Sequence, residues 1–331
     1  MIKYVLKRIF LLIPVLLGVI VIVFTINYFT DGSPAFTILG AAATPENVAE
    51  VEHEWGLDRP YLVQLGDYIW NIVTKGDLGT SYSYRRPVSE MIAERFPNTV
   101  KLGLLSILFS IVIGVPLGII SATKQYSPLD YGATTLASIL AALPSFWLAL
   151  MLMLFFSVKL KWLPVSGLGT WKNWILPVVA NGIMPVALIT RMTRSSMLEV
   201  IRQDYIRTAR SKGISECKVI FGHALKNALI PIITVVGNTA GLAMTGAIIV
   251  ETVFNIPGLG VMMNLAINQN DYITTQSGVL VCAVIICLMN LVTDVAYAIV
   301  DPRIKAQYIS QNKSHGFKLK YAARKASDGG K

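Results

Sequence analysis

The chain has 331 residues, 54% of them hydrophobic and 15% charged, with a mean hydropathy of +0.58. Soluble domains carry about 25% charged residues, so this composition excludes an ordinary soluble domain and points to a membrane protein. The 29 Lys+Arg against 19 Asp+Glu leave a formal net charge of +10; with no aromatic-interleaved basic stripe beside it, the excess reads as membrane topology and not as a nucleic-acid footprint.

A hydrocarbon core about 30 Å thick requires about 20 mostly apolar residues in helix. The uncharged runs of that order are Ile9–Thr30, Leu102–Thr123, Tyr131–Val158, Asn173–Thr190, Asn227–Val250 and Tyr272–Thr293, which predict six spans. The first follows Lys3, Lys7 and Arg8, is too long for a signal peptide's apolar core, and is kept as an anchor. Residues 31–97 form the only sizeable segment between spans, with ten Asp/Glu and five Lys/Arg. Within it, "TPENVAEVEHEWG" predicts a helix with Thr44 as N-cap, Pro45 in the first turn and Gly56 as terminator. "RPYLVQLGDYIWNIVTKG" predicts a second, and "RPVSEMIAERFP" a third short one.

Pro116, Pro144 and Pro185 lie in or near spans and predict kinks. "GVPLG" (Gly114–Gly118) and "GNTAG" (Gly237–Gly241) are small-xxx-small patterns suited to close helix packing. Gly237, Asn238, Thr239 and Thr245 would also suit a channel lining in the fifth span. A seventh uncharged run, Thr252–Asn270, carries too many amides and glycines for lipid. It predicts an outside loop with a short interfacial helix from about Leu259 to Ile267. In the sixth span Asp294, two turns from the end and on one face with Tyr297 and Asp301, reads as part of a substrate or proton path or as an ion-pair partner of Arg191 or Arg194; the ion pair is preferred. Cys217, Cys282 and Cys287, and His53, His223 and His315, have no metal-ligand spacing.

Lys and Arg set the orientation. Arg191–Lys226 and the tail after Asp301 each hold eight, and Glu251–Asp271 holds none. Both termini are therefore predicted on the cytoplasmic side, against the single exception of Lys159, Lys161 and Lys172 in a loop placed outside. The organisation that follows is an anchor (1–30), an extracytoplasmic helical segment (31–97), a five-helix core (98–300) and a basic cytoplasmic tail (301–331).

Between Arg194 and Lys226 no uncharged run exceeds seven residues, so this piece cannot cross a membrane. Asp204 is positioned to cap a short helix and Gly213 to end it, with Arg210 and Lys212 in the last turn where the helix dipole favours cations. A new helix after Ser215 runs into the fifth span. Such a piece can dock a partner, with Ala209 and Gly213 admitting a close surface, or it can be a solvated loop whose charges enforce topology.

The stretches "RMTRSSMLEVIRQDYIRTARSKG" and "HALKNALIP", together with "GDLGTSYSYRRPV", "ERFPNTVKLG", "ETVFNIPGLG" and "DPRI", resemble the first (B-type) of the two permeases of dipeptide and oligopeptide importers, in the nickel/peptide family of binding-protein-dependent ABC importers. The resemblance runs from the anchor to Arg303. Arg207-Thr208-Ala209 stands where the broader signature has Glu-Ala-Ala, Gly213 is kept, and the following Pro is displaced to Pro231. The resemblance implies an all-α, six-span type I (MetI-like) permease, itself non-catalytic and without a cofactor. It implies a second homologous permease, two ATPases that bind ATP and Mg, and an extracytoplasmic binding protein that delivers peptide, in a bacterial or archaeal cytoplasmic membrane. Asp204, Tyr205, Ile206, Arg207, Thr208, Ala209, Arg210, Ser211, Lys212 and Gly213 would then be the coupling helix seated on one ATPase. The absence of GxxxxGK[ST] and HExxH agrees with that division of labour. Three alternatives stay open: a related permease for nickel, glutathione or another small solute; a stand-alone secondary carrier, against which no inverted repeat is visible; and a membrane-embedded enzyme.

Overall fold

A computed structural model of the chain describes residues 2–30, 32–245 and 247–300. The basic tail, with Asp301 and the "DPRI" stretch, lies outside the described residues. The helices are α1 (Ile2–Phe29), α2 (Pro34–Leu39), α3 (Pro45–Glu54), α4 (Tyr61–Lys75), α5 (Val88–Thr123), α6 (Pro128–Ala142), α7 (Ser145–Leu152), α8 (Lys172–Ile201), α9 (Asp204–Ser211), α10 (Glu216–Lys218), α11 (Leu225–Thr245), α12 (Ile248–Val253), α13 (Leu259–Asn268) and α14 (Tyr272–Val300). Wider π-type turns over Met153–Lys159 and Val219–Ala224 extend α7 and join α10 to α11.

Among the described residues five helical stretches are long and apolar enough to cross a membrane, and the bent pair α6–α7 makes a sixth if it counts as one span. That pair carries the kink expected at Pro144, sharper than a bent span: the predicted run Tyr131–Val158 breaks at Leu143-Pro144 with a bend of 103°. Pro144 offers no N–H and forces its predecessor out of the α region, and Leu143 accordingly sits at φ −75°, ψ 130°. Pro116 and Pro185, by contrast, lie inside unbroken α5 and α8.

The third short helix expected before Pro97 does not exist as a separate element. It forms the first turns of α5, which runs through Pro97, so the division at 97/98 falls inside one helix. Long-range packing fixes α5 along its length: Gly114 and Gly118 let α8 approach until a Cβ on Gly118 would stand 2.5 Å from Thr193 Cβ and 2.7 Å from the Thr190 carbonyl. On α11, Gly237 packs on Thr293 of α14 too closely to admit a Cβ, whereas at Gly241 a Cβ would stand in ordinary contact, 3.9 Å from Ile286. Helix association in lipid rests on such close backbone approach. Thr44 and Pro45 begin α3 as expected, the Thr44 hydroxyl accepting the Asn47 N–H, and Gly56 follows its end at φ +66°.

Helix α13 forms over Leu259–Asn268, as expected, and has one packed face. Leu259, Met262, Met263 and Ala266 are buried, and the helix packs on α5, α12 and α14. The membrane core is thus α5, α8, α11 and α14, with α1 lying against α14 and α4.

Candidate functional site

Helix α9 begins one residue earlier than Asp204 capping would give. Gln203 occupies the cap position in extended geometry, and Asp204 is the first helical residue, its side chain 98% exposed. Asp204 therefore favours the helix through its charge at the N-terminus, not through a capping hydrogen bond. The end matches expectation: Gly213 takes φ +74° and donates its N–H to the Arg210 carbonyl at 2.9 Å. The Arg210 guanidinium then reaches across the turn to Glu216, donating from Nε at 3.0 Å and Nη2 at 2.6 Å.

The helix has two unlike faces. Ile206 is wholly buried and Ala209 nearly so, in an apolar cluster with Ile119 and Ala122 of α5, Met197 of α8, Val219 and Ala224 of the π-type turn, and Ala228 and Ile232 of α11. Tyr205, Arg207, Thr208, Arg210, Ser211 and Lys212 face outward, as does Gly213. This reverses the expectation for Ala209, whose small side chain admits the chain's own α9 seat and not an outside surface. The seat joins the ends of three spans. A force on the outer face of α9 is consequently delivered to α5, α8 and α11 together.

Beside the seat, Asp130 of α6 is buried and accepts two hydrogen bonds from Arg194 of α8, at 2.6 and 2.8 Å, and one each from the Ser121 hydroxyl and the Tyr126 N–H. Sequence reading offered Arg191 and Arg194 as partners of Asp294. The structure corrects this: Arg194 is taken by Asp130, Arg191 is exposed, and Asp294 pairs with Arg8 of α1 at 3.1 Å. Both arginines are carried by α8, whereas α1 is the helix that lies along the Asp294 face of α14.

Of the suggested channel residues, Gly237 is filled by Thr293, and the buried Thr239 hydroxyl donates to the Val235 and Val236 carbonyls of its own helix. Both serve packing within the chain. Asn238 is exposed on α11, near the exposed Leu242, and Thr245 is half-buried.

Two buried acids were missed. Glu251, fully buried at the end of α12, accepts the Thr99 hydroxyl at 2.7 Å and the N–H groups of Gly260 and Val261 at 2.9 and 3.2 Å, while Thr99 accepts the Leu259 N–H at 2.8 Å. It thereby caps α13 from a neighbouring helix. Burial pushes its carboxyl above the usual range, against the hydrogen bonds from Thr99, Val261 and Gly260. A Cβ on Gly258 would collide with the Glu251 carboxyl, and one on Gly260 would stand 2.7 Å from Ile248 Cα, which explains the glycines of "ETVFNIPGLG". Asp271, also fully buried, accepts from the Ser81 and Thr274 hydroxyls and the Tyr82 N–H, tying the "GDLGTSYSYRRPV" stretch to the start of α14. The signal available was an acid directly after an apolar run for Glu251, and an acid directly before a helix start rich in Thr for Asp271.

A bundle of membrane helices carrying a short polar helix on a seat built from three of them is the architecture of a type I ABC importer permease. An inward-facing structure of the methionine ABC transporter MetNI matches with a TM-score of 0.55 at 16% identity, over 64% of this chain and 97% of that one. The family models for the binding-protein-dependent transport system inner membrane component match at residues 114–306, and for its N-terminal part at 1–103. The chain belongs to that family. It is 44% identical to a dipeptide transport system permease protein of Alkalihalophilus pseudofirmus over 92% of this chain and 100% of that protein. It is 42% identical to a glutathione transport system permease protein of Salmonella choleraesuis over 92% and 99%.

Proposed function

We propose that this chain is the first of two permease subunits of an ABC importer that moves short peptides inward across the cytoplasmic membrane, both termini lying inside. The reading rests on one observation above others: α9 is held by Ile206 and Ala209 on the ends of three spans while its polar face stays open. Two ATPase subunits bind ATP and Mg and close on each other; one carries the outer face of α9 with it. The seat passes that displacement to α5, α8 and α11, which alternates access to the path between the two permeases. This chain makes and breaks no bond itself. A binding protein on the far side supplies the substrate.

Peptide as cargo is supported by the near full-length likeness to the dipeptide permease. The glutathione permease supports the alternative, a small solute carried by the same machinery, and nickel or another small solute belongs to the same alternative. Tagged chain purified from its own membranes is expected to bring down a second permease and P-loop ATPases, with ATP hydrolysis stimulated by loaded binding protein. Uptake that continues on an ion gradient after those ATPases are deleted would overturn the proposal.

A further inference from the structure

Away from α9, an apolar groove of about 420 Å³ runs between α5 and α8. Its floor and walls are Leu105, Leu108, Phe109 and Val112 of α5 and Ile175 and Val178 of α8. One end is of different chemistry. Lys101, exposed, stands with Nζ 4.1 Å from the centroid of the Trp174 ring, and Trp171 beside it is 71% exposed. Trp174 is only 5% exposed, yet its Nε1–H donates to no acceptor among the described residues. A cation held over an indole ring thus stands at the head of a groove that is otherwise hydrocarbon.

The position in the membrane says what belongs there. Lys101 is the last charged residue before the uncharged run Leu102–Thr123, so it marks the level where water gives way to hydrocarbon. The two tryptophans are at the same level, where amphipathic rings collect at membrane interfaces. From Lys101 to Val112 the helix rises by about 16 Å, at about 1.5 Å per residue. That is close to half of a hydrocarbon core about 30 Å thick. The groove therefore has the depth of one leaflet, with its positive charge at headgroup height.

We propose that this groove holds one anionic phospholipid of the leaflet on the α5 N-terminal side, its phosphate at Lys101 and an acyl chain along Leu105, Leu108 and Val112. Charge complementarity and depth favour lipid over a helix of the second permease, which would have no need of a cation at one end of an apolar seat.

Two measurements test it on the intact importer. First, a photoreactive residue in place of Leu108 is activated in native membranes. An adduct of phospholipid mass is expected, and an adduct to another polypeptide, or none to lipid, would overturn the proposal. Second, the complex is stripped in detergent, supplied with phosphatidylglycerol or phosphatidylcholine, and weighed by native mass spectrometry. The parent complex is expected to retain phosphatidylglycerol in preference, Lys101→Arg to behave like the parent, and Lys101→Glu to retain roughly tenfold less, the charge reversal acting at the membrane surface. Lys101 is exposed, so these variants leave the core untouched. Equal retention by the parent and Lys101→Glu would overturn the assignment of the phosphate.

Discussion

Replacing Ile206 by alanine removes the larger of the two anchors that hold α9 to the spans. The helix has eight residues, fewer than the roughly 12–15 at which isolated helices begin to persist in water, so its order comes from packing. Ile206 is 0% exposed among Met197, Val219 and Ile232. Truncating a buried isoleucine to alanine costs about 2–5 kcal/mol, the transfer of the lost methyl groups plus the cavity they leave. The Arg210–Glu216 pair cannot replace this, since its side chains are 40% and 56% exposed and such pairs contribute about 0.2–1 kcal/mol. At about 1.4 kcal/mol per decade, local opening of α9 should become more frequent by roughly one and a half to three and a half decades. Hydrogen exchange on the purified importer reads this directly, through the amides of Arg210, Lys212 and Gly213, with a peptide of α14 covering 281–288, which takes no part in the seat, as internal control. ATP hydrolysis should persist while peptide uptake per ATP falls. Unchanged exchange of the α9 amides in Ile206→Ala would refute the idea that the apolar seat orders this helix.

Other consequences can be checked more briefly. Gly118→Ala places a Cβ 2.7 Å from the Thr190 carbonyl, a backbone atom that cannot move aside, so a loss of about 1–3 kcal/mol is expected in detergent melting. Asp130→Asn strips Arg194 of its charged partner. Such losses run to about 3–5 kcal/mol for fully buried pairs and should be smaller here, because Arg194 is 25% exposed; Arg194→Met in the same chain is expected to restore part of the stability. Glu251 has its carboxyl pKa raised by burial in the folded chain, so the folded state holds that proton more tightly than the unfolded one. Its contribution is therefore most favourable below the unfolded carboxylate range and is lost as pH rises through the folded value. Glu251→Gln, which cannot ionise, should flatten the fall in melting temperature that the parent shows as pH rises above the ordinary carboxylate range; identical pH profiles would contradict this.

The spans were legible because a membrane helix must satisfy its own backbone, which leaves long uncharged runs as an unavoidable mark. Gly213 was legible too, since a left-handed residue after Lys212 has few other chemistries available. What escaped were pairings between distant elements. Nothing in the spacing of Asp294, Arg191 and Arg194 says that α1 lies along α14 and brings Arg8 to the acid, or that α6 turns back to give Asp130 to Arg194. The same holds for Ala209: its size was read correctly as permitting close approach, but only the folded seat shows that the approaching surface is its own chain. Glu251 looked like the start of a loop because a helix cap supplied from a neighbouring helix has no fixed sequence offset. Pro97 and Pro144 look alike in one dimension, yet one is absorbed by a helix packed along α8 and the other bends its chain by 103°.

The claim on which the account turns is that the outer face of α9 meets an ATPase while the inner face holds the spans. Cysteine placed at Arg207, in a Cys217→Ser background that removes the exposed native thiol, gives the most direct measurement. In the assembled importer, short-range thiol crosslinking from Arg207→Cys to a partner ATPase is expected, with a yield that changes when ATP is bound, and the same reagent with Ala209→Cys is expected to give none. Crosslinks from Ala209→Cys but not from Arg207→Cys, or labelling of the Arg207→Cys thiol only from the outside of intact cells, would contradict it.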